Sequence, residues 1–96
     1  MNRAALQRRE PQSPTLGRYD EIACLLTGRA DAKAEDGEEW VRELTADLGV
    51  PKLAAHGIAL RDMTEIVDKT VVASGTKANP ILLAREELAA ILERAI

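Results

Sequence analysis

The sequence predicts an all-α protein, built as a small bundle of about four helices. In separate stretches the apolar residues recur at positions i, i+3, i+4 and i+7, which places them on one face of a helix. Glycine or proline separates these stretches, as is usual where helices end. No segment alternates apolar and polar residues in the manner of a half-buried strand.

Length and composition limit what such a chain can bury. The 96 residues suffice for one compact unit, and 46% of them are hydrophobic. Sixteen of these are alanine, however, and the chain has no Phe, one Trp and one Tyr. The core must therefore come from Leu, Ile and Val, which contribute about 1.5–3 kcal/mol each when fully buried. We expect a thin core that relies on a partner.

Charge and cysteine content exclude several classes of function. A net charge of −3 leaves no basic patch for nucleic acid, nor the basic recognition helix of a helix-turn-helix protein. No apolar run approaches about 18 residues, and the N-terminus lacks the apolar centre of a signal peptide. The single cysteine, Cys24, cannot form an internal disulfide. We therefore expect a cytoplasmic protein that binds neither membrane nor nucleic acid.

The chain is predicted to begin with an extended or frayed N-terminal segment over residues 1–14, followed by one helical domain over residues 15–96. The first segment combines arginines with prolines, a composition that is unusual inside a helix. The first helix of the domain is predicted over about residues 15–27, with Gly28 as its stop. The arginines of the N-terminal segment are interpreted as a solvated arm rather than a phosphate site: Arg3, Arg8 and Arg9.

The second helix is predicted within the stretch RADAKAEDGEEWVRELTADLG and ends at Gly49. Acidic residues near its start match the positive end of the helix dipole, and an apolar stripe follows them. A single turn around Leu53–Ala55, which ends at Gly57, comes next. The acidic residues are Glu35, Asp36, Glu38 and Glu39, and the stripe is Trp40, Val41, Leu44 and Leu48.

Two further helices are predicted in IALRDMTEIVDKTVVASG, which ends at Gly75, and in AREELAAILERAI. Glu86 and Glu87 lie in the first turn of the last helix. Ala59 and Ala84 stand at N-cap positions, where alanine typically costs about 1 kcal/mol relative to Ser, Thr or Asp. We therefore expect these two helix starts to fray.

No complete set of catalytic, metal-binding or cofactor-binding residues is evident in this chain. A metal site needs several convergent ligands, but His56 is the only histidine and is interpreted as a surface turn residue. Cys24 is interpreted as a small buried hydrophobe rather than a nucleophile. The six glycines are dispersed and form no phosphate-binding loop. The sequence alone assigns none of these functions to the chain.

The stretch SGTKANPILL, residues 74–83, is the least helix-like part of the chain. Gly75 can adopt a left-handed conformation, and Pro80 pushes Asn79 towards extended geometry. Together they would leave several backbone N–H groups outside regular structure. Two interpretations stay open: a plain connector between helices, which the residues favour, or a backbone shaped for a ligand.

Taken in order, four stretches resemble the C-terminal helical segment of iron-containing alcohol dehydrogenases: LGRYDEIACLLTG, EWVRELTADLGVPKLAAHGI, DMTEIVDKTVVASGTKANPILL and EELAAILERAI. That family has a helix with an R/K-Y-x-E/D-I-A core, a helix ending L-G-I/V-P and a turn closing on G-I/V. An N-P loop and a terminal E-L-x-x-I/L helix follow. The matching residues, within about residues 15–96, are Arg18, Tyr19, Ile22, Ala23, Leu48 to Pro51, Asn79, Pro80, Glu87, Leu88 and Leu92.

The resemblance implies a fold like the C-terminal part of the dehydroquinate synthase-like helical domain. It also implies a parent enzyme that uses Fe(II) and NAD(P) to interconvert an alcohol and a carbonyl, while this chain alone binds neither and is inactive. The expected partner is an N-terminal dinucleotide-binding and metal-binding portion. In the family the loop ahead of the N-P pair borders the substrate cleft. The residues expected to line that cleft are Ser74, Gly75, Thr76, Asn79 and Pro80.

The alternative function is a free-standing helical adaptor or dimerisation module. Amphipathic stripes on a thin core can pack against a second copy of the chain. This hypothesis predicts a homo-oligomer of defined size. A portion of a larger enzyme would instead expose an apolar patch where its neighbour packs.

Overall fold

The computed structural model describes all 96 residues, from Met1 to Ile96, and the chain is helical without any strand. The all-α prediction is confirmed, with six helices rather than about four. No helix combines the length and apolar character that crossing a membrane requires. The α-helices are α1 (Asn2–Arg9), α2 (Thr15–Thr27), α3 (Ala34–Asp47), α4 (Met63–Val72), α5 (Ser74–Lys77) and α6 (Arg85–Ala95), and two 3-10 turns cover Leu53–His56 and Leu60–Asp62.

The chain divides into two compact units. The hairpin unit is Leu6–Val50, and it contains α2 and α3. The C-terminal unit combines Met1–Ala5 with Pro51–Ile96, and it contains α4, α5 and α6. The single helical domain expected over residues 15–96 remains a prediction.

The N-terminal segment differs from its expected extended or frayed conformation, because α1 forms within it. Ala5 and Leu6 are fully buried on this helix. The prolines behind the prediction, Pro11 and Pro14, both lie beyond the last residue of α1 and disturb only the connection to α2. The burial of Leu6 contributes favourable free energy to this helix. A local sequence pattern cannot reveal that burial.

In the hairpin unit, α2 ends at Gly28 as predicted. Gly28 adopts φ 72° and donates its backbone N–H to the carbonyl of Cys24. Gly49 likewise has a positive φ beyond α3, and Gly57 has one after the first 3-10 turn. Glycine adopts this left-handed region without the steric cost of a Cβ atom, so these three predicted stops follow from backbone sterics.

The two helices of the hairpin unit meet through small residues. Ala23 on α2 is 1% exposed, and Gly37 on α3 is buried opposite it. A Cβ atom placed on Gly37 would lie 2.9 Å from the Ala23 Cβ and 3.0 Å from its Cα. The backbones therefore approach more closely than any residue with a side chain at position 37 would allow.

The start of α3 is held by two carboxylates. Asp20 on α2 accepts a hydrogen bond from the Ala34 backbone N–H at 2.8 Å, and Asp36 accepts one from the Lys33 N–H at 2.8 Å. The Lys33 hydrogen bond, assisted by Arg29 at 3.1 Å, holds the pKa of Asp36 below its ordinary value. Backbone N–H groups that a helix start leaves unpaired thus find acceptors.

In the C-terminal unit, α4 packs against α6, with Val67 buried between them and Arg85 paired with Asp68. Ala59 and Ala84 do cap helix starts and offer no side-chain acceptor. Their own N–H groups donate instead to carboxylates three residues later. The acceptors are Asp62 Oδ2, at 2.9 Å from the Ala59 nitrogen, and Glu87 Oε2, at 2.8 Å from the Ala84 nitrogen. This is half of a capping box, which offsets part of the expected fraying.

The end of α4 differs from the prediction that Gly75 stops it. The helix ends at Val72, Ala73 is extended, and Gly75 lies inside the short helix α5 without a positive φ. The Thr76 hydroxyl donates to the Thr70 carbonyl at 2.7 Å. The Thr70 carbonyl also accepts the Ala73 backbone N–H at 3.1 Å, so the end of α4 is held by two donors and involves no left-handed glycine.

Candidate functional site

The residues predicted to line the cleft lie within one short segment, which we call the cleft segment (Ser74–Pro80). Ser74, Gly75 and Thr76 belong to α5, and Asn79 and Pro80 form the turn after it. Ser74, Gly75 and Pro80 are exposed, whereas Thr76 and Asn79 are half-buried. The segment therefore presents a small and mostly uncharged surface. Its two half-buried polar side chains, Thr76 and Asn79, face the rest of the chain.

Several backbone N–H groups of the cleft segment donate to carbonyls within the segment or directly before it. The Thr76 N–H donates to the Ala73 carbonyl at 3.1 Å, and the Asn79 N–H donates to the Thr76 carbonyl at 3.3 Å. The Ala78 N–H donates to the Gly75 carbonyl at 3.3 Å. These three donors are already paired, so the observed geometry favours the connector interpretation over a backbone that offers all of its N–H groups to a ligand.

Asn79 has a partner that sequence reasoning did not identify. Its Nδ2 donates to the Oδ1 of Asn2 at 2.9 Å, and the Nδ2 of Asn2 donates back to the Oδ1 of Asn79 at 3.2 Å. The two residues are 77 positions apart and both are half-buried. The only available signal was that the chain contains just two asparagines, which does not by itself indicate a contact.

The other residues considered for chemistry lie apart in the sequence and serve local roles. His56 is exposed at the end of the first 3-10 turn, as the surface interpretation predicted. Cys24 is half-buried rather than fully buried, and its Sγ lies 3.5 Å from the carbonyl oxygens of both Ala30 and Ala32, to either of which its one S–H can donate. These contacts place the thiol against the loop that follows α2.

The acidic residues of α3 are only partly explained by the helix dipole. Glu35 and Asp36 lie in the first turn, as predicted, but Glu38 and Glu39 lie beyond it. Glu39 pairs with Arg42 one turn further along the helix. The dipole interpretation is therefore wrong for Glu38 and Glu39, because α3 begins at Ala34 and its first turn ends before them.

The side chains of this chain do not fit a resident iron ion. Iron sites use several convergent nitrogen or oxygen ligands. No group of three or more His, Cys, Asp or Glu side chains is placed so that it could hold a metal ion. The nucleotide phosphates likewise have no glycine-rich loop to bind, since the glycines are dispersed along the chain.

Comparison with known protein families gave a match to most of the chain. A sequence model described as the Fe-containing alcohol dehydrogenase family, C-terminal, matches residues 5–96. Neither the curated proteins nor the solved structures gave a match to the chain. The chain belongs to the iron-containing alcohol dehydrogenase family, and its matched residues correspond to the C-terminal part of that family.

Proposed function

We propose that this chain is the C-terminal helical portion of an NAD(P)-dependent, iron-dependent alcohol dehydrogenase and has no catalytic activity by itself. The observation that carries the proposal is the family match over residues 5–96, combined with a donor set that does not fit iron. The chain contributes scaffold and the cleft segment. We expect the protein to lie in the cytoplasm and to bind no nucleic acid, in line with its net charge of −3.

The reaction of the family explains why a partner is needed. Hydride transfer between an alcohol and a nicotinamide requires a dinucleotide site, and a metal supplies the Lewis acid that polarises the oxygen. The proposed partner is the dinucleotide-binding and metal-binding portion of the family, on the same polypeptide or a separate one. The cleft segment then limits one side of the space that the alcohol occupies.

The surface of the cleft segment is compatible with an uncharged substrate. Ser74 and Pro80 are exposed, and Lys77, which is also exposed, is the one charged side chain within the segment. A small alcohol or carbonyl compound has no charge to pair, so the hydroxyl, peptide and proline groups of the segment can contact it while the exposed Lys77 ammonium group stays in water.

The test of this proposal compares the purified chain alone with the chain plus a separately produced dinucleotide-binding and metal-binding portion of a family member. Each sample receives Fe(II), NAD or NADP, and a panel of short alcohols, and the absorbance of reduced nicotinamide is followed. We expect no turnover from either part alone and measurable turnover from the mixture. Turnover by the chain alone, or a mixture in which the chain neither binds nor activates its partner, would contradict the proposal.

The alternative function, a dimerisation module, is compatible with one observation in the hairpin unit, an exposed apolar surface that a portion of a larger enzyme would also show. Several large apolar side chains there are exposed, including Leu25 at 83% and Leu48 at 70%. A groove of about 310 Å³ lies along α2 and α3 between the apolar side chains of both helices. Sedimentation of the purified chain over a range of concentrations separates the hypotheses, since only a dimerisation module gives a homo-oligomer of one defined size.

A further inference from the structure

We propose that Asn2 is a positioning residue for the cleft segment. Its carboxamide forms a reciprocal pair of hydrogen bonds with the carboxamide of Asn79, which we call the Asn2–Asn79 clasp. The clasp fixes the turn that precedes Pro80 against the first turn of α1. The role of the turn in catalysis rests on the proposed function, but the clasp itself is a property of this chain.

The geometry of the clasp is that of a closed amide pair. Each carboxamide donates one N–H and accepts one at its oxygen, with N···O distances of 2.9 Å and 3.2 Å. Both distances are ordinary for N–H···O hydrogen bonds. A closed pair defines the relative orientation of both side chains, because neither can rotate without breaking both bonds.

The clasp acts at the C-terminal end of the cleft segment, because the two ends of the segment are attached differently. The front end is attached to α4 through the Thr76 hydroxyl. At the rear end the Asn79 backbone N–H reaches only the Thr76 carbonyl, and its Nδ2 lies 3.5 Å from the Ile81 carbonyl oxygen. Pro80 has no N–H and is exposed. The Asn2 side chain therefore attaches this turn to a part of the chain remote in sequence.

Burial of Ile81, directly after the turn, limits the effect of losing the clasp to the turn itself. Ile81 is 7% exposed, so the chain beyond the turn is anchored independently of Asn2. Loss of Asn2 should therefore release residues 78–80 without unfolding α5 or α6. This separates a positioning role from a general stabilising role.

The experiment is side-chain and backbone amide exchange measured by NMR on the isotopically labelled 96-residue chain. Only four carboxamides are present, those of Asn2, Gln7, Gln12 and Asn79, so their signals can be distinguished. In the unsubstituted chain we expect the Asn79 side-chain amide to exchange with water more slowly than that of the exposed Gln12. Asn2→Ala should accelerate the Asn79 exchange by about two- to tenfold, the factor that loss of one ordinary hydrogen bond implies.

Controls keep the result interpretable. Alanine is the best helix former, so Asn2→Ala should preserve α1, which far-UV circular dichroism checks. Gln12→Ala removes an exposed carboxamide. It should leave the exchange rates of the Asn79 side-chain amide and the Ala78 backbone amide unchanged. The reverse variant, Asn79→Ala, should accelerate exchange of the Asn2 side-chain amide by a similar factor. The Trp40 indole signal of the hairpin unit should not move in any variant.

Specific outcomes overturn the clasp. One is an Asn79 amide that exchanges as fast as Gln12 in the unsubstituted chain; the other is no response of Asn79 to Asn2→Ala. These measurements need neither cofactor nor partner. In the two-part enzyme mixture, Asn2→Ala should raise KM for the alcohol and leave the affinity for nicotinamide cofactor unchanged. A mixture that is inactive with the unsubstituted chain contradicts the proposed function, whereas the exchange result decides the clasp.

Discussion

In the hairpin unit two helix backbones come into close contact through small residues, whereas in the C-terminal unit polar side chains join segments far apart in the sequence. Gly37 lies against Ala23 in the first case. Asn2 and Asn79 form the clasp in the second, and Thr76 bonds to Thr70. The comparison shows that one short chain uses steric fit to set a helix crossing and hydrogen bonds to set the shape of a turn.

The difference also explains where apolar surface remains. Small residues at the α2–α3 contact bury little area, so larger apolar side chains of the same helices stay outside it. Ile22 is 50% exposed and Val41 is 47% exposed. At about 25 cal/mol per Å² of apolar surface removed from water, a close contact between Ala and Gly contributes little by area. We therefore expect the apolar surface of the hairpin unit to be available for a partner.

The largest expected effect on stability comes from adding a side chain at Gly37, where the backbones of α2 and α3 come closest. Gly37→Ala places a Cβ at 2.9 Å from the Ala23 Cβ, so one helix must shift. We expect the free energy of unfolding to fall by about 1–3 kcal/mol, even though alanine favours helix by about 1 kcal/mol. Urea unfolding followed by Trp40 fluorescence measures it, because Trp40 is on α3.

The matched control for this variant is Gly17→Ala. Gly17 lies in α2, has no positive φ, and has no atom within 4 Å of an added Cβ. This substitution should raise the free energy of unfolding by about 0.5–1 kcal/mol. Equal stabilisation by both substitutions would show that the backbones of α2 and α3 do not touch.

The next effect tests the carboxylate that joins the two helices. Asp20→Ala removes the acceptor of the Ala34 N–H and should lower the free energy of unfolding by about 1–2 kcal/mol. Asp20→Asn retains an oxygen acceptor and should cost less. Trp40 fluorescence in urea compares the two, and equal losses would indicate that the charge near Lys33 matters rather than the hydrogen bond.

In the C-terminal unit the comparable test is Thr76→Val, which keeps the shape of the side chain and removes its hydroxyl. The lost hydrogen bond to Thr70 should cost about 0.5–1.5 kcal/mol. Thr45→Val is the control, since the Thr45 hydroxyl bonds only to Val41 one turn earlier in the same helix. Thermal unfolding by circular dichroism measures both, and a larger loss at Thr45 would contradict the role given to Thr76.

The smallest expected effect is the contribution of Asp36 to the pH dependence of stability. Its pKa is lowered in the folded state, chiefly by the Lys33 backbone hydrogen bond. Ionised Asp36 therefore stabilises the fold above its ordinary value of 3.8, and this contribution is lost as the pH falls through the lower folded-state value. Asp36→Asn should reduce the loss of stability between about pH 6 and about pH 3.

The control for the pH experiment is Asp31→Asn, which makes the same charge change at a side chain that is 91% exposed and near the same Arg29. We expect it to leave the pH dependence nearly unchanged, because exposed ion pairs are screened by solvent. Urea midpoints followed by Trp40 fluorescence compare the variants. Identical pH profiles for both would contradict the role assigned to Asp36.

Much of the secondary structure could be predicted because its causes are local. The period of apolar residues predicts the helix that became α2, and the stop at Gly28 needs only backbone sterics. The end of α4 was placed too late, because the chain turns extended at Ala73, before Gly75, and the Thr70 carbonyl accepts the Thr76 hydroxyl six residues along. No rule on glycine could indicate that contact.

The candidate site was predictable only as a stretch of sequence. The cleft segment was located by resemblance to the iron-containing alcohol dehydrogenases, and its residues are contiguous, so they remain together in any fold. Its attachment to Asn2 could not be predicted, because a pair of asparagines 77 residues apart carries no periodic signal. The same holds for Asp20, whose role depends on the position of Ala34 in space.

What the sequence determined by itself is the helical class, the approximate helix spans and the three glycine stops. Each depends on interactions between residues at most a few positions apart. Only the tertiary structure decided that α1 is a helix with Leu6 buried, that Gly37 touches Ala23, and that Asn2 holds Asn79. Burial and pairing between distant residues depend on where the chain returns in space, which local pattern does not encode.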